Sequence, residues 1–219
     1  MKNTLIGALS MALIIMLMST NSGTTQGPPK SQFDLLNSAT SNIKAQSWNY
    51  NINNNAGGSS LTSGTIYFVA MYLASPSTIT GAYVPFNTAG VYTPTNNNRI
   101  GLYSSNGTTL TLVASNADTP TMYSATAGGS MLTQAFSSTY SAKAGLYYIA
   151  YLWCSSATTT APRVSTMTLN GSFVNAGIID MNWRFGSLSG QTNLPSTQAL
   201  SGVSYSGGSG QSVFWAGIY

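Results

Sequence analysis

The chain has 219 residues and a formal net charge of +4, with 43% hydrophobic and 11% aromatic residues but only 5% charged ones, against roughly 25% charged in ordinary soluble domains. Its three acids are Asp34, Asp118 and Asp180, and it has no Glu, no His and one Cys; this excludes a Ser–His–Asp nucleophile, leaves an ordinary zinc or calcium cage short of ligands, and predicts no cofactor and no enzyme. The seven bases are scattered, so the basic balance reflects a shortage of acids, and a phosphate-tracking surface for nucleic acid is not expected.

Residues 1–18 carry one Lys followed by about fourteen mostly apolar residues, a helix of about 21 Å, short of the roughly 30 Å hydrocarbon core. Such a helix, apolar all round, must be buried in something. We expect it to anchor the chain in a larger assembly; a cleaved secretory signal peptide and insertion into lipid are the alternatives. Residues 19–60 read as a linker, with Pro28-Pro29 stopping any helix. Within it, residues 33–48 place Phe33, Leu36, Ala39 and Ile43 at the spacing of a short stalk helix.

From Leu61 to Tyr219 the texture is all-β: runs of Tyr, Val, Ile and Thr alternate with Gly, Asn, Ser and Pro clusters. Strands are predicted over 64–73, 78–86, 98–104, 109–115, 131–137, 145–153, 163–169, 172–176, 181–185 and 211–218. Hairpin turns are signalled at Asn106-Gly107 and Asn170-Gly171, where turn chemistry also accounts for the glycosylation-like Asn-x-Ser/Thr pattern. For the first hairpin, a three-residue loop from Ser105 to Gly107 pairs Leu102 with Leu110 and Ile100 with Leu112. That register puts Ile100, Leu102, Leu110 and Leu112 on one buried face and Arg99, Tyr103, Thr109 and Thr111 on a wet one.

Three strands are apolar on both faces: "TIYFVAMYL" (65–73), "LYYIAYLW" (146–153) and "VFWAGIY" (213–219). One face fills a sandwich core, and the other needs a second cover, because a large exposed apolar patch is unusual in a free monomer. The simplest cover is another copy of the chain. The alternative is a large sandwich whose own loops bury these strands on both sides.

Reactive groups are few. Asp118 and Asp180 are the only carboxylates after residue 61, too sparse for glycosidase chemistry; Asp118 lies in the turn "NADTP", and Asp180 is near Arg184, a possible ion partner. Cys154 ends an apolar run and reads as a small buried hydrophobe. "GGSS" and "SGGSG" lack the strand–helix setting of a phosphate loop. What remains is binding by rings and hydroxyls: Trp183, Trp215, Tyr83, Tyr92, Tyr123 and Tyr205 could pack on sugar faces, although any one of them has core or interface as its plainer role.

"TITGAYV", "NNNRIGLYSSNGTTLTLVAS", "YSAKAGLYYIAYL" and the final "SVFWAGIY" resemble the head domains of tailed-phage fibre and receptor-binding proteins, over about residues 61–219. The resemblance implies a jelly-roll-like antiparallel β-sandwich, trimeric, projecting from a virion and contacting a host-surface glycan or protein. With the apolar anchor, it implies a short fibre or spike seated in another virion protein on the tail, collar or capsid. The reading from a different class is a secreted bacterial carbohydrate-binding module with a cleaved signal peptide.

Overall fold

The computed structural model describes residues 42–47, 58–95, 97–125, 130–168, 184–204 and 212–219. Two antiparallel sheets packed as a sandwich make up nearly all of it, so the all-β expectation holds. The anchor helix expected over 1–18 and the strand expected over 172–176 lie outside these residues, as do Asp180, Trp183, Tyr205 and the turn at Asn170-Gly171.

Among the described residues sheet A has seven strands: β1 (Ala45–Gln46), β2 (Gly58–Ser60), β4 (Ser77–Thr88), β8 (Ser130–Ala142), β11 (Arg163–Thr168), β14 (Ser212–Phe214) and β15 (Gly217–Ile218). Sheet B runs in the order β12 (Phe185–Leu188), β3 (Thr65–Leu73), β9 (Gly145–Trp153), β6 (Arg99–Ser105), β7 (Thr109–Ser115) and β13 (Thr197–Ala199). β5 (Val91–Pro94) and β10 (Ser155–Thr160) form a separate two-stranded ribbon. Two strands from the stretch expected as linker, β1 and β2, thus join sheet A; where a stalk helix was expected, Ala45–Gln46 pairs with Ile218 and Gly217. The final strand expected over 211–218 is split in two at Trp215-Ala216, with β14 on β11 and β15 on β4.

The two-sided strands sit where two buried faces are needed. β3 and β9 pair along nine rungs, from Thr65↔Trp153 to Leu73↔Gly145, with β12 and β6 outside them. Val69, Met71 and Leu73 of β3 and Ile149, Tyr151 and Trp153 of β9 face sheet A, meeting Ile79, Ala82, Val84 and Phe86 of β4 in the inter-sheet core. The alternate residues Ile66, Phe68, Tyr148, Ala150 and Leu152 form a second apolar layer on the far side of sheet B.

That second layer is closed within the chain. Residues 189–204 cross the outside of sheet B as a strap, and Leu194, Leu200 and Val203 cap the layer. The strap is fastened along its length: Gln191 N–H donates to Gly64 O at 2.8 Å, Leu112 N–H to Ser196 O at 2.9 Å, Tyr103 Oη to Pro195 O at 2.7 Å and Leu200 N–H to Thr108 O at 2.8 Å. β13, part of the strap, also pairs with β7. The expectation that sister copies cover these strands is therefore corrected for β3 and β9, because a loop of the same chain occupies the place a partner would take. Tyr72, exposed to 67%, is the large residue of β3 left open.

The first hairpin also differs from its expected register. Pairing closes at Ser105↔Leu110 and runs through Tyr103↔Leu112, then shifts by the extra residue Val113 so that Leu102 meets Ala114. Ile100 and Leu102 face the inter-sheet core, whereas Leu110 and Leu112 lie with Tyr103 in the layer under the strap. The wet face expected for Arg99, Tyr103, Thr109 and Thr111 does not exist as such; Tyr103 is fully buried. Local bonding sets the register: Asn106 Oδ1 accepts from the N–H groups of Thr108 and Thr109 at 3.0 and 2.8 Å, and Asn106 N–H reaches Thr109 O. Gly107 takes the positive φ (93°) that the turn requires, as expected.

Candidate functional site

The buried polar side chains among the described residues serve the fold. Asn98, fully buried, donates through Nδ2 to Thr95 O (2.7 Å) and Cys154 O (3.2 Å) and accepts Cys154 N–H at its Oδ1 (3.0 Å). Its own N–H goes to Asp118 Oδ1 at 2.8 Å, so Asp118 organises a turn, as its sequence context indicated. Asn116 works in the same way: its Oδ1 accepts Ile100 N–H at 2.6 Å while its Nδ2 reaches Thr119 Oγ1. Both asparagines were overlooked in the sequence, where Asn in a Gly/Ser/Thr-rich context signals only a turn. Cys154 is buried beneath the strap, the small buried hydrophobe expected, and burial pushes its thiol above the usual range. Among the described residues no group of three or more potential metal ligands comes together.

The aromatic candidates separate by burial. Tyr123 and Trp215 are fully buried. Tyr123 packs edge-on to Phe86 at 5.7 Å and donates to Arg99 O, so it belongs to the core. Tyr92 is half-buried against Trp153, with its ring edge-on at 5.4 Å and its hydroxyl on Pro120 O at 2.9 Å; burial raises its pKa. Tyr83 remains, and the structure adds a residue that was not singled out, Tyr219.

These two rings lie on the outward face of sheet A. Alternation along β4 sends Ala82, Val84 and Phe86 into the core and Gly81 and Tyr83 outward. Along the C-terminal segment, Phe214, Ala216 and Ile218 go inward and Trp215, Gly217 and Tyr219 outward. One rung across the sheet joins Gln46, Gly217, Tyr83 and Thr133. The centroids of the Tyr83 and Tyr219 rings are 4.6 Å apart, with planes at 41°.

Two glycines provide the floor. A Cβ on Gly81 would run into the Tyr219 ring end and the Gln134 carbonyl, and one on Gly217 would stand 2.6 Å from the Trp215 ring. Without side chains at these positions the rings can lie low over the strands. Trp215 is further fixed by Nε1–H donating to Gln46 Oε1 at 3.3 Å. Tyr219 is tied to β4 through its backbone, with Thr80 N–H donating to its carbonyl at 2.7 Å and its own N–H reaching Gly81 O at 3.1 Å. Burial, and then the neighbouring Tyr83, raise the Tyr219 phenol pKa. Thr80 and Thr133 border the pair and are exposed, as is Met131 farther along β8. The arrangement offers two part-exposed rings, hydroxyls at the margin and no acidic or thiol side chain, which suits non-covalent contact.

A scan of known protein families gives no match to this sequence, and no curated protein matches it either.

Proposed function

We propose that this chain is a non-enzymatic adhesion protein of a phage particle, a short fibre or spike whose β-sandwich head, displayed as a trimer, contacts the host surface. The observation that carries this reading is the Tyr83–Tyr219 pair: two rings held side by side on a braced sheet face and half open to solvent. A sequence without His or Glu supports contact rather than catalysis. The apolar run at residues 1–18 supports attachment at the other end, and the phage-head resemblance over residues 61–219 supplies the setting. The trimer does not draw on the faces of β3 and β9, which the strap occupies, and so uses other surfaces of the head.

Electron microscopy of particles labelled with an antibody against the head tests the placement, and competition by the purified intact chain tests the role. Label on the particle and a dose-dependent drop in adsorption to host cells are expected. Unlabelled particles and unaffected adsorption would overturn the proposal. An intact mass short by about twenty residues, the usual scale of a signal peptide, would instead favour the secreted carbohydrate-binding module.

A further inference from the structure

We infer that the outer edge of β8 is a docking surface for the same edge of a second copy of this chain, laid antiparallel about Thr133. The inference goes beyond the adhesion reading and does not rest on it. The direction of the backbone groups follows from β4. Gly81 N–H reaches Tyr219 O at 3.3 Å, and Tyr219 N–H reaches Gly81 O at 3.1 Å. Gly81, and by alternation Tyr83 and Pro85, therefore aim their backbone groups away from β8; Pro85, which has no N–H to give, stands opposite Met131. Ala82, Val84 and Phe86 carry the ladder to Gln134, Leu132 and Ser130. The N–H and C=O groups of Met131, Thr133 and Ala135 are left pointing out of the sheet edge. Among the described residues none meets the three N–H groups or the carbonyls of Met131 and Thr133. Ala135 O accepts Gln134 Nε2 at 3.0 Å and keeps a second lone pair.

Exposed edges are normally blunted by shortness, a proline, a bulge, a charge or a cover. Elsewhere among the described residues they are. β1, β2, β13 and β14 run only two or three residues. Ser187 bonds the outer side of β12 to Ser204 at 2.7 and 2.8 Å. The β5–β10 ribbon is broken by two register shifts and carries Pro94. Residues 130–135 have none of these devices: their pairing with β4 is unbroken, and no charged residue stands between Asp118 and Lys143. Met131 is 39% exposed, and Thr133 and Ala135 are exposed as well.

The order of residues along the edge selects its own copy as the occupant. Centred on Thr133, the antiparallel register sets Thr133 against its counterpart, a favourable cross-strand pair. On either side Met131 meets Ala135, a long side chain against a short one. Every outward N–H then faces an outward carbonyl. No like charges meet, because Lys143 lies past the end of the strand. A foreign strand bearing charge would find no counter-ion along this stretch. The contact is isologous, so it joins heads two at a time and cannot itself close a ring of three.

The test is light scattering of the intact chain over a dilution series, with an even number of copies expected: two for paired heads, or six where trimers pair. One copy or three overturns the pairing. Three leaves the trimer of the adhesion reading standing, two keeps the pairing and defeats the trimer, and six upholds both. Thr133→Lys sets two like charges at the centre of the contact without touching the ladder to β4. It should halve the particle mass at low salt, with partial recovery at about 1 M salt and no shift in melting temperature. Cross-linking reads the register and keeps the test decisive if Thr133→Lys fails to fold. Thr133→Cys comes beside its counterpart at about the 5.5 Å Cα spacing of a bonded antiparallel pair, within disulfide reach, and should give a linked pair on air oxidation. Ala135→Cys faces Met131 and should not. An unchanged particle mass in folded Thr133→Lys, equal linking by the two cysteine variants, or an edge that stays single and instead takes up a strand of another protein would overturn the inference.

Discussion

Asn98 uses one side chain to replace a missing stretch of ladder. Its amide both donates to Cys154 O and accepts from Cys154 N–H, as a paired strand residue would, and its remaining hydrogen goes to Thr95 O. Buried backbone groups left without partners cost about 1–3 kcal/mol each. Asn98→Ala leaves the buried Cys154 N–H without its acceptor and takes from Cys154 O one of its two donors, the other being Thr95 N–H, and should lower unfolding stability by about 2 kcal/mol, read as a fall in the urea midpoint without a change in slope. Tyr103 and Tyr148 provide a matched contrast. Tyr103 Oη donates to Pro195 O, whereas Tyr148 Oη is buried with no partner. Tyr103→Phe should therefore destabilise by about 1 kcal/mol, and Tyr148→Phe should be neutral or stabilising; chemical denaturation of the two variants side by side decides it.

At the scale of elements, the strap explains both what the sequence revealed and what it concealed. The strands of the sandwich were legible because β3, β4, β6, β7, β9 and β11 are Tyr-, Val-, Ile- and Thr-rich runs between turn residues. Residues 189–204 carry their apolar residues singly, at Leu194, Leu200 and Val203, among Ser, Thr, Gln and Gly. No period of two or 3.6 marks them, so a sequence reading takes them for solvent-facing loop. The same limit hid the hairpin register: when both faces of a strand are buried, alternation cannot select one, and Asn106 bonding decides instead. The ring pair was half legible, Tyr83 through its type and Tyr219 only through the glycine floor that the fold assembles from Gly81 and Gly217. Leu200, 1% exposed, closes the outer layer. Leu200→Ala should cost about 2–4 kcal/mol in thermal or urea unfolding, a loss that would be absent if sister copies rather than the strap protected these strands.

The whole molecule is unusual in how little of it titrates near neutrality. With no His and no Glu anywhere in the chain, stability should be level around neutral pH. The alkaline side differs. Burial raises the phenols of Tyr103, Tyr123, Tyr148 and Tyr151 above the ordinary tyrosine value of 10.0, and the Cys154 thiol above 9.0. The folded state holds these protons after the unfolded chain has released them, so stability is fully present below the ordinary values and is lost as pH climbs toward the raised ones. Urea midpoints should hold from about pH 6 to about pH 8.5 and then fall continuously toward about pH 11, the thiol contributing first and the tyrosines after it. A midpoint that instead declined between about pH 5 and pH 7 would point to a titrating group other than these.

The strap has a further consequence, for biosynthesis. β3 and β9 find each other across some seventy intervening residues, and their greasy outer side stays naked until residues 194–203 have left the ribosome. For the last part of translation the nascent chain carries a long, flat, sticky ladder with its lid not yet made. That interval, more than the finished fold, is when it is prone to clump or to need a chaperone.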